Sequence, residues 1–225
     1  EQEAVEGMRW LLRVIAMSVE VAADANPQRP HFQRMDTLVR KVGGDNPDAE
    51  YEFAAIDGQY NYKITGNIGS VRYLGFTFNA GQGTTPRRQF AYLSDKTLEL
   101  DQDGNFSLIL SQEPTDISGQ WIKIPDDASG ILVRQYIANR KKEELPALNI
   151  EVLGSPIQFS PVTDQEIADA IISTSYAFLS LTTLHHRVLP ELMEKTNVFI
   201  EANSDSLGGA ISGNDNLYMI GSYQL

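Results

Sequence analysis

The chain has 225 residues, 42% of them hydrophobic, which is enough to bury a core as one large domain or two small ones and too apolar for a disordered or low-complexity polymer. Its 18 Lys plus Arg stand against 30 Asp plus Glu, a net charge of −12 that argues against nucleic acid and anionic membrane as partners. With no cysteine, it has no disulfide framework, thiolate metal site or cysteine nucleophile.

The densest basic cluster, Arg140-Lys141-Lys142, is followed at once by Glu143-Glu144. No apolar run reaches the roughly 18 residues of a membrane span; the nearest, Trp10 to Ala23, is broken by Arg13, Ser18 and Glu20. No membrane span is therefore expected. Cytoplasm is the default compartment, and a removed signal peptide stays open because the chain starts at Glu1.

In chain order, the first element is a helix from about Gln2 to Ala23. Val5, Met8, Leu11, Leu12, Ile15, Val19 and Ala22 recur at three- and four-residue spacing and are expected to form one core face. A second stripe, Trp10, Val14, Met17 and Val21, leaves only Glu6, Arg9, Arg13 and Glu20 for water. A helix with two apolar stripes is expected to be covered on two sides, either between the sheet and a later helix or at a subunit interface. Asn26-Pro27 and Arg29-Pro30 end it.

The turn cluster 43–48 precedes a change of period to two. Tyr51–Ile56 and Gln59–Thr65 flank Asp57-Gly58, a pair suited to a type I′ hairpin. Val71–Asn79 is a further strand, and Leu98–Leu100 with Phe106–Ser111 reads as a hairpin around Asp101-Gln102-Asp103-Gly104-Asn105. Trp121–Ile124, Ile131–Ala138 and Leu148–Val152 bring the total to about eight short strands. That spacing predicts an α+β fold, mainly an antiparallel β-sandwich or partly open barrel flanked by helices.

Thr163 with Glu166 three residues on is a capping box, opening a second helix to about His185. Pro190 opens a shorter helix to about Thr196, Asn203–Asn216 reads as a loop, and Asn216–Leu225 reads as a strand. Stopping there without a polar tail, it predicts sheet beyond Leu225. The expected organisation is a helix and connector over 1–48, an antiparallel β domain over 49–160, and a helical segment with the final strand over 161–225, packed as one unit.

Several chemical patterns fail on geometry. In Asp101–Asn105 the Gly stands fourth and Gln112 twelfth, against sixth Gly and twelfth Glu in an EF-hand, so a hairpin turn is expected. Gly81-Gln82-Gly83-Thr84-Thr85 runs into Pro86-Arg87-Arg88 where a phosphate cradle needs a helix N-terminus, and reads as a flexible loop from which the two arginines reach an anion at most. The histidines are His31, His185 and His186; neither of the pair has a metal-binding residue three or four positions earlier, so no metal site is expected. No Gly-x-Ser-x-Gly elbow, His-Glu-x-x-His, P-loop or dinucleotide fingerprint is present, and nothing calls for a cofactor.

Gly44-Asp45-Asn46-Pro47-Asp48, Tyr62-Lys63-Ile64-Thr65-Gly66, Asp103-Gly104-Asn105-Phe106, Trp121 and Arg134 follow one another in an order that resembles the bacterial domain of unknown function 1214, across most of Leu12 to Val152. The resemblance implies a β-sandwich-like fold continuing past Asn216–Leu225 and brings no established reaction, cofactor or catalytic residue.

Arg134 alternates with Val133 and Gln135 in an apolar strand, where a long cation needs a carboxylate or an open face. It is either an ion pair that fixes sheet register or the anchor of a carboxylate- or sulfate-binding site with Trp121, Tyr136, Tyr60 and Tyr62 as walls. Two functions are thus expected in competition. One is a module that binds a small anionic or apolar ligand or assembles as a homo-oligomer through the N-terminal helix. The other is an enzyme on a small, partly apolar substrate with His185 or His186 as general base.

Overall fold

The structure, a computed structural model, describes residues 1–37, 39–40, 46–154, 161–183, 194–202, 218–221 and 223. It is α+β: two helices accompany a five-stranded and a four-stranded sheet that face each other and do not close into a barrel.

α1 runs Gln2–Val19 and widens into a π-helical turn over Glu20–Asp24, just ahead of Pro27. The strands are β1 (Gln33–Arg34), β2 (Ala49–Ala55), β3 (Asn61–Asn67), β4 (Tyr73–Ala80), β5 (Arg88–Ser94), β6 (Asn105–Ser111), β7 (Gln120–Lys123), β8 (Ala128–Tyr136) and β9 (Ala147–Leu153). α2 (Asp164–Thr182) follows, then β10 (Phe199–Ala202) and β11 (Tyr218–Gly221), which pair with each other. The large sheet has the order β1-β2-β8-β4-β5 and the smaller one β7-β6-β3-β9. Every pairing is antiparallel except β6 with β7, which is parallel.

Alternation along the strands sends one face of each sheet into a shared core. Ala54, Leu74, Phe76, Phe78, Ile131 and Val133 of the large sheet meet Tyr62, Ile64, Phe106, Leu108, Leu110 and Ile150 of the small one, all buried. The Phe76 and Phe106 rings meet edge to face with centroids 5.7 Å apart.

Two local expectations are corrected and one unexpected strand is added. Asp57-Gly58 does not close a hairpin, because β2 and β3 belong to different sheets. The turn is real but bridges the two layers: Asp57 Oδ1 accepts from the Gln59 amide at 2.9 Å. Gly58 is required because Pro125 O would stand 2.2 Å from any Cβ there. Leu98–Leu100 is no strand; it leaves a turn in which the Thr97 and Leu98 amides both donate to Ser94 O at 2.9 Å, and β6 pairs with β3 and β7 instead. The segment after Pro86 is the edge strand β5 from Arg88 onward, its Phe90, Ala91 and Leu93 packed on the core.

Other expectations hold. Asp101–Asn105 is a turn, as expected, though not a hairpin turn because no strand precedes it, with Asp101 Oδ1 accepting from the Asp103 and Asn105 amides at 2.9 and 2.8 Å. At the start of α2 the Glu166 amide donates to Thr163 Oγ1 and the Thr163 amide to the Glu166 carboxylate, the reciprocal capping box. The Thr163 amide and hydroxyl, both donating to it, hold the Glu166 carboxyl below its ordinary range. Of the expected short helix from Pro190 to about Thr196, residues 190–193 lie outside the described residues, as does all of the expected loop Asn203–Asn216.

Candidate functional site

β8 lies between β2 and β4, with Tyr51 and Gly75 opposite Arg134 on either side. The face of the large sheet away from the shared core is consequently polar: Thr77, Asn79, Ser94 and Arg134 are all buried there. Arg134 donates from Nη1 to Thr77 Oγ1 at 2.9 Å. Tyr73 stacks on Tyr136 with ring centroids 5.0 Å apart, and its hydroxyl meets that of Tyr92. Gly75 leaves room for the Tyr73 ring, whose hydroxyl would lie 2.5 Å from a Cβ at that position.

Arg134 and Tyr136 therefore share one face, and the other expected walls lie elsewhere. Trp121 is on β7 of the opposite sheet, 42% exposed, with Nε1 donating to Ser111 Oγ at 2.9 Å. Tyr62 is in the shared core, where its hydroxyl accepts from the Asp57 amide at 2.9 Å and donates to Pro27 O at 3.1 Å. Burial pushes that phenol's pKa upward. Tyr60 stands edge-on to Tyr62 and accepts from Gln28 Nε2 at 2.7 Å. A cleft of about 240 Å³ lined by Asp48, Arg72, Tyr136, Ile137 and Ala138 lies below the size of an ordinary ligand pocket. His185 and His186 lie outside the described residues, and His31 is exposed.

A second polar group sits where β1, β2 and β8 meet. Arg34 and Arg140 both pair with the buried carboxylate of Glu50, Arg34 at 2.8 Å. Arg140 further donates from Nη2 to Pro47 O at 2.8 Å and Ala49 O at 3.1 Å, so the most basic stretch of the sequence clamps a β-strand to a loop. Gln135, fully buried, donates from Nε2 to Glu52 Oε1 at 3.1 Å. Desolvation raises the Glu52 pKa above its ordinary value, with the nearby Glu50 charge adding to the rise and the Gln135 bond opposing it. At the β4–β5 turn, Arg88 forks onto Asp127 and holds that carboxyl low, so this cation is already engaged by protein. Among the described residues no group of three or more His, Asp or Glu side chains is placed to hold a metal ion.

The least conventional feature is the helical surface. On α1 the buried side is Val14, Met17 and Ser18, and the stripe expected to be a core face is open: Val5 is 62%, Met8 64%, Leu12 67%, Ile15 45% and Val19 36% exposed. The sequence shows both stripes but carries no sign of which one is buried. Residues 1–9 are exposed on every side, so the first half of α1 projects from the body. α2 packs on α1 and on the π-helical turn, which itself touches β2. It in turn exposes Ile167, Ile171, Ile172, Tyr176 and Leu179. Among the described residues no helix is long and apolar enough to cross a membrane.

No family model matches the sequence, and no curated protein matches it significantly. Among solved structures, it is similar to an uncharacterised protein from Burkholderia cenocepacia, at 27% identity and a TM-score of 0.81 over 93% of this chain and 58% of that one. The chain thus spans less than two thirds of that protein. A second, from Vibrio parahaemolyticus, aligns at 16% identity and a TM-score of 0.36 over 48% of this chain and 31% of that one, too remote to carry an argument.

Proposed function

We propose that this chain is an assembly module in which the sandwich is a rigid scaffold and the α1–α2 surface is the working part. The reading rests on one observation: each helix turns five large apolar side chains to solvent. Exposed apolar side chains gathered on a helix face mark interaction sites. Together these ten half-exposed side chains are comparable to the ~800 Å² per partner of a standard interface. A second copy is the occupant proposed, because an isologous pairing covers the same exposed stripe on both partners. Membership of the domain of unknown function 1214 belongs to the same proposal, supported by the ordered motifs and the sandwich.

Hydrogen exchange at two protein concentrations tests this. The α1 amides of residues 5–9 should be protected in concentrated solution and lose that protection on dilution; protection independent of concentration would contradict self-association.

A further inference from the structure

The geometry points to a binding site for a small oxyanion where the loop between β4 and β5 meets α2, with Arg87 as its anchor. This loop is tied in place. The Gly81 amide donates to Asp127 O at 2.9 Å and the Thr85 amide to Gln82 O at 3.0 Å, while Arg88, forked onto Asp127, fixes the start of β5. Gly81 has φ +85° and Gly83 +60°, and a Cβ on Gly81 would stand 2.2 Å from Pro86 O, so glycine lets the two ends of the loop lie together. Gln82 Nε2 donates to Ser173 Oγ at 3.4 Å, which sets the middle of α2 against the loop.

Arg34, Arg40, Arg88 and Arg140 are each held by a carboxylate. Arg87 makes no ion pair or hydrogen bond among the described residues. Its side chain is open to solvent, yet desolvation alone lowers its pKa from the ordinary arginine value. A cation on open convex surface keeps its hydration; one that solvent reaches while protein surrounds it lines a concave wall. The groups beside it are donors as well. The Gly83 and Thr84 amides have no acceptor among the described residues, and Thr174, next to Ser173 on α2, has a buried hydroxyl without a partner. The nearby Asp127 is already taken by Arg88. A guanidinium among free donors selects an oxygen anion, a carboxylate or a phosphate, which its fork grips with two hydrogen bonds. With no helix N-terminus behind the loop, the ligand class is a small anion and not a nucleoside triphosphate.

Isothermal titration with inorganic phosphate and, separately, with succinate, at constant ionic strength in chloride, tests the site. The unmodified chain is compared with Arg87→Gln and with Arg9→Gln, which removes an exposed arginine far along α1. Saturable binding of at least one anion is expected, unchanged in Arg9→Gln and weakened about tenfold or more in Arg87→Gln. Which of the two binds tells a phosphate ligand from a carboxylate one. Thermal melts without added anion give a second readout and confirm that each variant folds. Arg87→Gln should melt no lower than Arg9→Gln, because it removes a charge that nothing in the chain compensates. Binding of neither anion, equal binding by Arg87→Gln, or a lower melting temperature for Arg87→Gln alone, the mark of a partner within the protein, overturns the site.

Discussion

Arg134 reaches diagonally from β8 to β4 and donates to the Thr77 hydroxyl at 2.9 Å, with both residues closed off from solvent. A guanidinium only 2% exposed depends on each of its acceptors. Thr77→Val keeps the shape and removes the oxygen, and should lower stability by about 1–3 kcal/mol in urea denaturation, while Thr77→Ser should lose less. Equal losses for the two variants would mean that packing, not the hydrogen bond, governs the site.

Glu52 sets a pH dependence whose sign follows from its surroundings. Its folded pKa lies above the ordinary 4.5, so the folded protein holds the proton more tightly than the unfolded chain. The stabilising contribution is complete below about 4.5 and disappears as pH rises through the raised value. Glu52→Gln cannot titrate, so thermal melts should show the variant gaining on the parent as pH rises through that window. A constant difference between the two across pH 4 to 8 would count against the desolvation argument.

The layer-crossing turn makes Gly58 sensitive for a reason of space. An alanine Cβ there meets the Pro125 carbonyl at 2.2 Å, with Asp126 backbone at 2.6 Å, so neither neighbour is a flexible side-chain end. Gly58→Ala should cost about 1–3 kcal/mol, the range of an overpacked site. A hairpin glycine chosen for its backbone angle would instead tolerate Asn, which here should be worse than Ala.

Much of the sandwich was legible from residues alone, because alternation such as Leu74, Phe76, Phe78 and Tyr62, Ile64 is a local signal. Which strands pair is not local. Asp57-Gly58 carries the same turn chemistry whether the chain folds back beside itself or crosses to the facing sheet, and only the Pro125 contact distinguishes the two. β5 was hidden behind Pro86, although Phe90 to Leu93 contains the necessary apolar residues. The candidate ligand walls dispersed because Trp121, Tyr62 and Tyr136 were grouped by type; their strands carry them to a solvent face, the core and the far face of the other sheet.

Gly7 lies within α1 with no atom within 4 Å of where a Cβ would be. Glycine in a helix interior costs about 0.5–1 kcal/mol relative to alanine. Gly7→Ala should therefore raise helix content in circular dichroism and, if the projecting half forms the interface, tighten the dimer. Unchanged association would place the contact outside this half.

The central claim is that the exposed seam of α1 joins two copies, and the mass of Leu12→Glu in solution tests it most directly. Leu12 is 67% exposed, so a charge there leaves the chain's own core untouched. By light scattering at micromolar concentration, the unmodified chain should have twice its 25.0 kDa mass and Leu12→Glu a single chain's mass, with equal thermal stability in dilute solution. An unmodified chain at 25.0 kDa, or a Leu12→Glu variant that remains dimeric, would contradict the account.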